Sequence, residues 1–205
     1  MTIIAIPKGR LMPLCLGKLT KLGILKEEKY KERQLSYDLG NNITLFMVRN
    51  SDILTYIKNN MADVAFIGSD LLLEDSDNSG NYYDYADAKL SYCRLMVAGR
   101  ASAKNDSVAN KLRVATKYTR VAADYYARKG IQAEIIKING SVELAASAGF
   151  VDQIVDIVDT GKTLRENNLI TLDKIADVST RIITNKGIMK SKWDQLNPLL
   201  SQLAQ

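Results

Sequence analysis

Apolar and polar positions along this chain follow two periods, of about two and about 3.6 residues, and the periods take turns. Thr2–Ile6 is a short β-branched run; Leu11, Leu14, Leu19 and Leu22 then recur at helical spacing, with Gly23 as a stop. Leu35–Asp38 and Ile43–Val48 flank Gly40-Asn41-Asn42, which predicts a hairpin. Ile53–Asn59 reads as a helix, and Val64–Ile67, closed by Gly68, as a buried strand. Further strands are predicted over Leu95–Ala98, Val114–Ala115, Ile135–Ile138, Ile154–Val158 and Ile175–Thr184. Helices are predicted over Val121–Arg128, Val142–Ala148, a short stretch from Lys162, and Trp193–Leu203. This alternation argues an α/β fold with largely parallel sheets. Asp75–Tyr85 and Ala101–Asn110 are polar stretches, the first a predicted surface loop. Two organisations fit: one doubly wound domain, or two α/β lobes with a cleft between them.

Composition narrows the chemistry more than the fold. A chain of 205 residues with 46% hydrophobic and 25% charged residues can bury a real core. No apolar run is long enough to span a bilayer. The first apolar run is too short for a signal peptide, and its basic residues follow it, so a cytoplasmic protein is expected. Cys15 and Cys93 show no pairing pattern and read as reduced core residues. The net charge of +5 is scattered, so no nucleic-acid partner is expected. There is no histidine, which removes the usual general base and the usual metal ligand. Chemistry must come from carboxylates, Lys and Arg, hydroxyls, backbone amides, or a metal carried in by a substrate.

Five turns at predicted strand ends carry that inventory. The strongest is Asp152–Leu164, where a buried run ends in Asp159-Thr160-Gly161-Lys162-Thr163 and a helix follows. Glycine there lets backbone amides approach a phosphate, and the hydroxyls of Thr160 and Thr163 add donors. Upstream carboxylates suit a ribose diol or a substrate-bound Mg²⁺. The competing reading is a plain strand-to-helix turn capped by Asp159 or Thr160. The spacing of a Walker loop is absent. Pro7-Lys8-Gly9-Arg10 puts two cations at the first strand end. Arg49-Asn50-Ser51-Asp52 offers either a helix cap at Asp52 or a pyrophosphate clamp at Arg49. Gly68-Ser69-Asp70 and Asn139-Gly140-Ser141-Val142-Glu143 complete the set.

The order of these segments resembles one family from Ile3 to about Lys190. Ile-Pro-Lys-Gly-Arg, Arg-x-x-Asp-Ile, Ala-Asp-Val-Ala-Phe-Ile-Gly-Ser-Asp, Cys-Arg-Leu-Met-Val-Ala, Arg-Val-Ala-Thr-Lys-Tyr, Asn-Gly-Ser-Val-Glu and Ile-Val-Asp-Ile-Val-Asp-Thr-Gly-Lys-Thr-Leu are similar to the ATP phosphoribosyltransferases. Leu54 and Asn60 depart from the family's usual Pro and Gly, at sites that look structural. The resemblance implies two lobes like those of type II periplasmic binding proteins, with the active site in the inter-lobe cleft. One lobe would hold residues 1–91 plus 178–205; the other, 92–177, would bind phosphoribosyl diphosphate. It implies transfer of a phosphoribosyl group to N1 of ATP, with Mg²⁺ carried by the substrates and no metal site built from protein alone.

Arg49, Lys8 and Arg33 are then the candidates for stabilising the leaving pyrophosphate. Asp152, Asp156, Asp159, Thr160, Gly161, Lys162 and Thr163 are the candidates for phosphoribosyl diphosphate, and Arg10, Asp70 and Glu143 for ATP. The length resembles the short forms. These lack a C-terminal regulatory domain and work as a dimer within a hetero-oligomer that includes a regulatory subunit similar to histidyl-tRNA synthetase. No membrane partner is expected.

Overall fold

The structure is a computed structural model and describes residues 1–26, 34–75, 80–101 and 111–205. Arg33, a sequence candidate, lies outside the described residues. The chain divides into two compact units. One holds Met1–Leu72, Asp77–Ser91 and Ser179–Gln205; the other holds Leu73–Ser76 and Tyr92–Val178. Among the described residues no helix is long and apolar enough to cross a membrane.

In the first unit β1 (Thr2–Pro7) lies parallel between β3 (Ile43–Val48) and β4 (Val64–Gly68). Alternation explains why these strands read as unbroken apolar runs, since each face of the sheet needs its own set of side chains. Ile4, Ile6, Leu45, Phe66 and Ile182 point to one face. There they pack with Cys15 and Leu19 of α1 (Leu11–Lys21) and with Leu196, Leu199, Leu200 and Leu203 of α8 (Trp193–Leu203). Ala5, Ala65, Ile67 and Ile183 point to the other face, against Ile53 and Ile57 of α2 (Ile53–Lys58). The predicted hairpin is present: β2 (Ser36–Gly40) pairs antiparallel with β3. Asn41 and Asn42 both have positive φ, at 50° and 59°, as a two-residue turn of the right twist requires. Burial of Cys15 pushes its thiol pKa up to about 12, so it behaves as an inert core residue.

In the second unit β6 (Leu112–Thr116) lies parallel between β7 (Ala133–Lys137) and β8 (Gln153–Val158). Met96, Ala98, Ala115, Ile154 and Val158 pack with Val142 and Ala146 of α5 (Val142–Ser147) and Leu164 of α6 (Lys162–Glu166). Helix α4 (Thr119–Arg128) buries Val121, Ala122, Tyr125 and Tyr126. Its first turn is capped by the Glu74 carboxylate, which accepts from the Thr119 hydroxyl at 3.1 Å and from the Arg120 and Val121 amides at 3.0 Å. Glu74 ends α3 (Ser69–Glu74), a helix the apolar pattern does not predict.

The sheets are mixed rather than largely parallel. The strands run in the order β2-β3-β1-β4-β9-β5-β8-β6-β7. Two long strands, β5 (Tyr82–Gly99) and β9 (Ile170–Asn185), supply antiparallel pairs: β4 with β9 and β5 with β8. Tyr82–Tyr85 therefore belong to a strand and not to the predicted loop. Residues 76–79 of that loop, and 102–110 of the second polar stretch, lie outside the described residues.

Candidate active site

Each unit gathers its chemical groups on one edge, at the carboxyl ends of its parallel strands. In the first unit the register pairs Pro7 with Val48, and the Lys8 amide donates to the Val48 carbonyl at 2.8 Å. Lys8 and Arg49 therefore follow neighbouring strands that lie about 5 Å apart. Gly9 turns the chain at φ +92° into α1, so Arg10 sits on the same edge. All three cations are exposed, and among the described residues none makes an ion pair or a side-chain hydrogen bond. Clustered positive charge without a counter-charge is costly unless an anion arrives to meet it. Ser51 donates to Asp52 at 2.7 Å, which holds the turn after Arg49.

Strand β4 ends on the same edge, at Gly68. Asp70 is 2% exposed and folds back over this glycine; a Cβ there would lie 2.1 Å from Asp70 Oδ1. Ser69 is equally placed by structure, its hydroxyl accepting from the Ser179 amide at 3.1 Å. The edge thus brings together Lys8, Arg10, Arg49 and Asp70, four sequence candidates from three segments.

The second unit repeats the arrangement. Strand β8 ends at Val158, and Asp159 and Thr160 emerge exposed. Gly161 adopts φ +72° and begins α6, with Lys162 and Thr163 exposed in its first turn. Two arginines hold the loop from behind. Arg165 donates to the Thr160 carbonyl at 3.0 Å, and Arg94 donates to the Asp159 carbonyl at 3.3 Å. Both carbonyls are engaged by guanidinium, the Thr160 hydroxyl accepts from the Lys162 amide at 3.4 Å, and Lys162 Nζ lies 3.8 Å from Glu166 Oε1, while Thr163 stays exposed. Beside it β6 ends at Thr116, whose buried hydroxyl donates to the Val155 carbonyl at 2.6 Å and accepts from the Tyr118 amide at 2.9 Å. Strand β7 leads to Ser141, at φ 53°, and then to half-buried Glu143 in the first turn of α5.

The candidates from Asp152 onward do not all reach this loop. Asp159 to Thr163 form it, and half-buried Asp156 lies within β8 opposite Met96. Asp152 precedes β8 and receives the Arg113 amide at 2.8 Å. Six strand residues separate it from the loop, roughly 20 Å at about 3.3 Å per residue. Sequence reasoning missed Arg94 and Arg165 as loop supports. Arg165 had a visible signal, four residues after Gly161 at helical spacing. Arg94 lies in the Cys93–Ala98 motif, but nothing local showed this role, because it arrives through the pairing of Arg94 with Val158.

Two α/β units, each presenting glycine turns and hydrogen-bond donors at its strand ends, define a class: an α/β enzyme suited to phosphorylated substrates. Residues 49–205 match the family model described as HisG: ATP phosphoribosyltransferase. The chain is 39% identical over 202 residues to an ATP phosphoribosyltransferase of Clostridium acetobutylicum, spanning 98% of this chain and 93% of that protein. A relative of the same name from Hahella chejuensis is 41% identical over 204 residues, spanning 98% and 95%. Among solved structures, the ATP phosphoribosyl transferase (HisG:HisZ) complex from Thermotoga maritima is similar, with a TM-score of 0.83 and 35% identity. The match covers 99% of this chain and 96% of that one. The chain belongs to the ATP phosphoribosyltransferase family.

Proposed function

We propose that the chain transfers the 5-phosphoribosyl group of phosphoribosyl diphosphate to N1 of ATP. The products are N1-(5-phosphoribosyl)-ATP and pyrophosphate, and the reaction is the first step of histidine biosynthesis. Family membership over nearly the whole chain carries the reaction. The Asp159–Thr163 loop supports the assignment of phosphoribosyl diphosphate to the second unit, close to the span 92–177. The first unit, close to 1–91 with 178–205, takes ATP through Arg10 and Asp70; Glu143 is a further candidate for ATP.

The chemistry follows from charge. The bond from the anomeric carbon to the pyrophosphate oxygen breaks and its electron pair leaves with pyrophosphate. The N1 lone pair of ATP forms the new bond to that carbon. N1 needs no strong base to attack, which accords with a chain that has no histidine. Negative charge builds on the leaving group, and Arg49 and Lys8 meet it more strongly in the transition state than in the ground state. The amides and hydroxyls at Thr160–Thr163 hold the 5′-phosphate, and Asp156 or Asp159 addresses the ribose diol. Mg²⁺ enters with the substrates, as an ion on their phosphates.

The Thermotoga relative was solved as a complex of two kinds of subunit. That likeness supports a HisZ-like regulatory subunit as partner; we propose further that the chain works in the cytoplasm as the catalytic subunit, dimeric within the hetero-oligomer. The test is incubation with ATP, phosphoribosyl diphosphate and Mg²⁺, reading phosphoribosyl-ATP by absorbance and mass. A folded chain that makes no such product, alone or with the second subunit, would refute the reading.

A further inference from the structure

On the first unit, away from the strand-end edge, Tyr83 of β5, Lys186, Met189 and Lys190 of α7 (Lys186–Ser191) and Trp193 at the start of α8 line a groove of about 490 Å³. Its aromatic walls are open to solvent, Tyr83 at 46% and Trp193 at 44% exposed. Neither the Tyr83 hydroxyl nor the Trp193 ring N–H has a hydrogen-bond partner among the described residues. Lys186 and Lys190, one helical turn apart, are exposed and make no ion pair there. Asn185 fixes the groove's geometry by capping α7, accepting from the Gly187 and Ile188 amides at 2.8 and 3.2 Å.

Exposed Trp, Tyr and Met beside unpaired cations are the composition of a recognition surface. A second copy docked with this groove on the two-fold axis would set these lysines against the same lysines, which charge disfavours. We propose that the groove receives an acidic segment of the regulatory subunit, with an apolar side chain seated against Trp193 and carboxylates meeting Lys186 and Lys190. This rests on the reading that the chain works with such a subunit.

Trp193 is the chain's single tryptophan, so its fluorescence reports the groove directly. The experiment uses the full chain and the purified HisZ-like subunit of the same organism, with calorimetry, sedimentation and Trp193 emission. Binding by the wild type is expected, with a blue shift. Trp193→Ala should weaken it at least about 30-fold, as for a central aromatic anchor. Lys186→Glu with Lys190→Glu should slow association and reduce its salt dependence. Both variants should keep the basal transferase activity and the far-ultraviolet circular dichroism of the wild type. Wild-type binding matched by both variants would overturn the groove while leaving the two-subunit reading intact. No wild-type binding at all would overturn both. Self-association abolished by Trp193→Ala in the absence of the subunit, or quenching of Trp193 by ATP at this groove, would also overturn the proposal.

Discussion

A Cβ added to Gly68 would lie 2.1 Å from Asp70 Oδ1, far inside any real contact, while the Gly68 backbone has ordinary φ. The constraint there is space, and the space is filled by a carboxylate that is 2% exposed. Gly68→Ala must therefore displace Asp70, at a cost of about 1–3 kcal/mol typical of overpacking. With Gly68→Ala in an Asp70→Ala background the added methyl should cost much less, so urea titrations of the cycle should show a coupling above about 0.5 kcal/mol. Additive effects would place the constraint elsewhere. Arg49 is the contrasting case. It is exposed and makes no ion pair or side-chain hydrogen bond among the described residues, so Arg49→Ala should leave stability within about 0.5 kcal/mol. If it meets the leaving pyrophosphate, kcat should nevertheless fall about 10²–10³-fold, with KM changing less. Near-normal turnover would return Arg49 to an ordinary solvated charge.

At the scale of elements, the turn after β8 was legible as a strand-to-helix turn, because a buried run ends in Thr160-Gly161 and a helical stretch follows; the same residues fit a phosphate loop and a plain capped turn alike. Gly161 holds φ +72°, and an added Cβ would lie 3.4 Å from Arg165 Nη1. Gly161→Val should thus strain the turn by about 1–3 kcal/mol and disturb the guanidinium that braces it. Its affinity for phosphoribosyl diphosphate, by calorimetry, should drop well beyond what the loss of stability explains. What the sequence hid is equally physical. The first half of β5 is half-exposed on both faces and carries Asp84, Asp87 and Lys89, so it shows no apolar run. Helices α3 and α7 show no helical period, because Leu71, Leu72 and Leu73 are consecutive and α7 carries Gly187 with only Ile188 and Met189 as apolar residues. Asp152 looked adjacent to the loop because sequence distance within a strand is physical distance, which proximity in the text conceals.

A second element-scale consequence concerns acid. Lys129, just after α4, ion-pairs with Asp173 of β9, and the Tyr125 hydroxyl donates to the same carboxylate at 2.5 Å. These hydrogen bonds, from Lys129 first and Tyr125 second, pull the Asp173 pKa down from 3.8 to about 2. A lowered folded-state pKa means stabilisation that is complete above the unfolded value and is lost as pH falls through the folded one. The contribution should therefore be present at pH 5 and vanish between about pH 4 and pH 2. Asp173→Asn should make the melting temperature less dependent on pH across that window. An unchanged acid slope would show that the tie, which is exposed, contributes nothing measurable.

For the whole molecule, the chain passes between its two units four times, after Leu72, Ser76, Ser91 and Val178. Strands β5 and β9 each contribute residues to both units, so dividing the chain into its units would cut both strands. The melt of the free protein should then be one cooperative transition, and a ligand held by one unit should stabilise both. At a concentration of 100 times its Kd, phosphoribosyl diphosphate with Mg²⁺ should add about 2.7 kcal/mol. For a chain of this size that shifts the midpoint by about 5–10 °C. Calorimetry gives the shift, and hydrogen exchange locates it. Amides near Thr160–Thr163 should slow on phosphoribosyl diphosphate alone, and those near Gly9–Leu11 and Ser69–Asp70 on ATP. Gly161→Val should abolish the first effect and its midpoint shift together. A free protein that melts in two steps, with only one of them moved by ligand, would show that the shared strands do not couple the units.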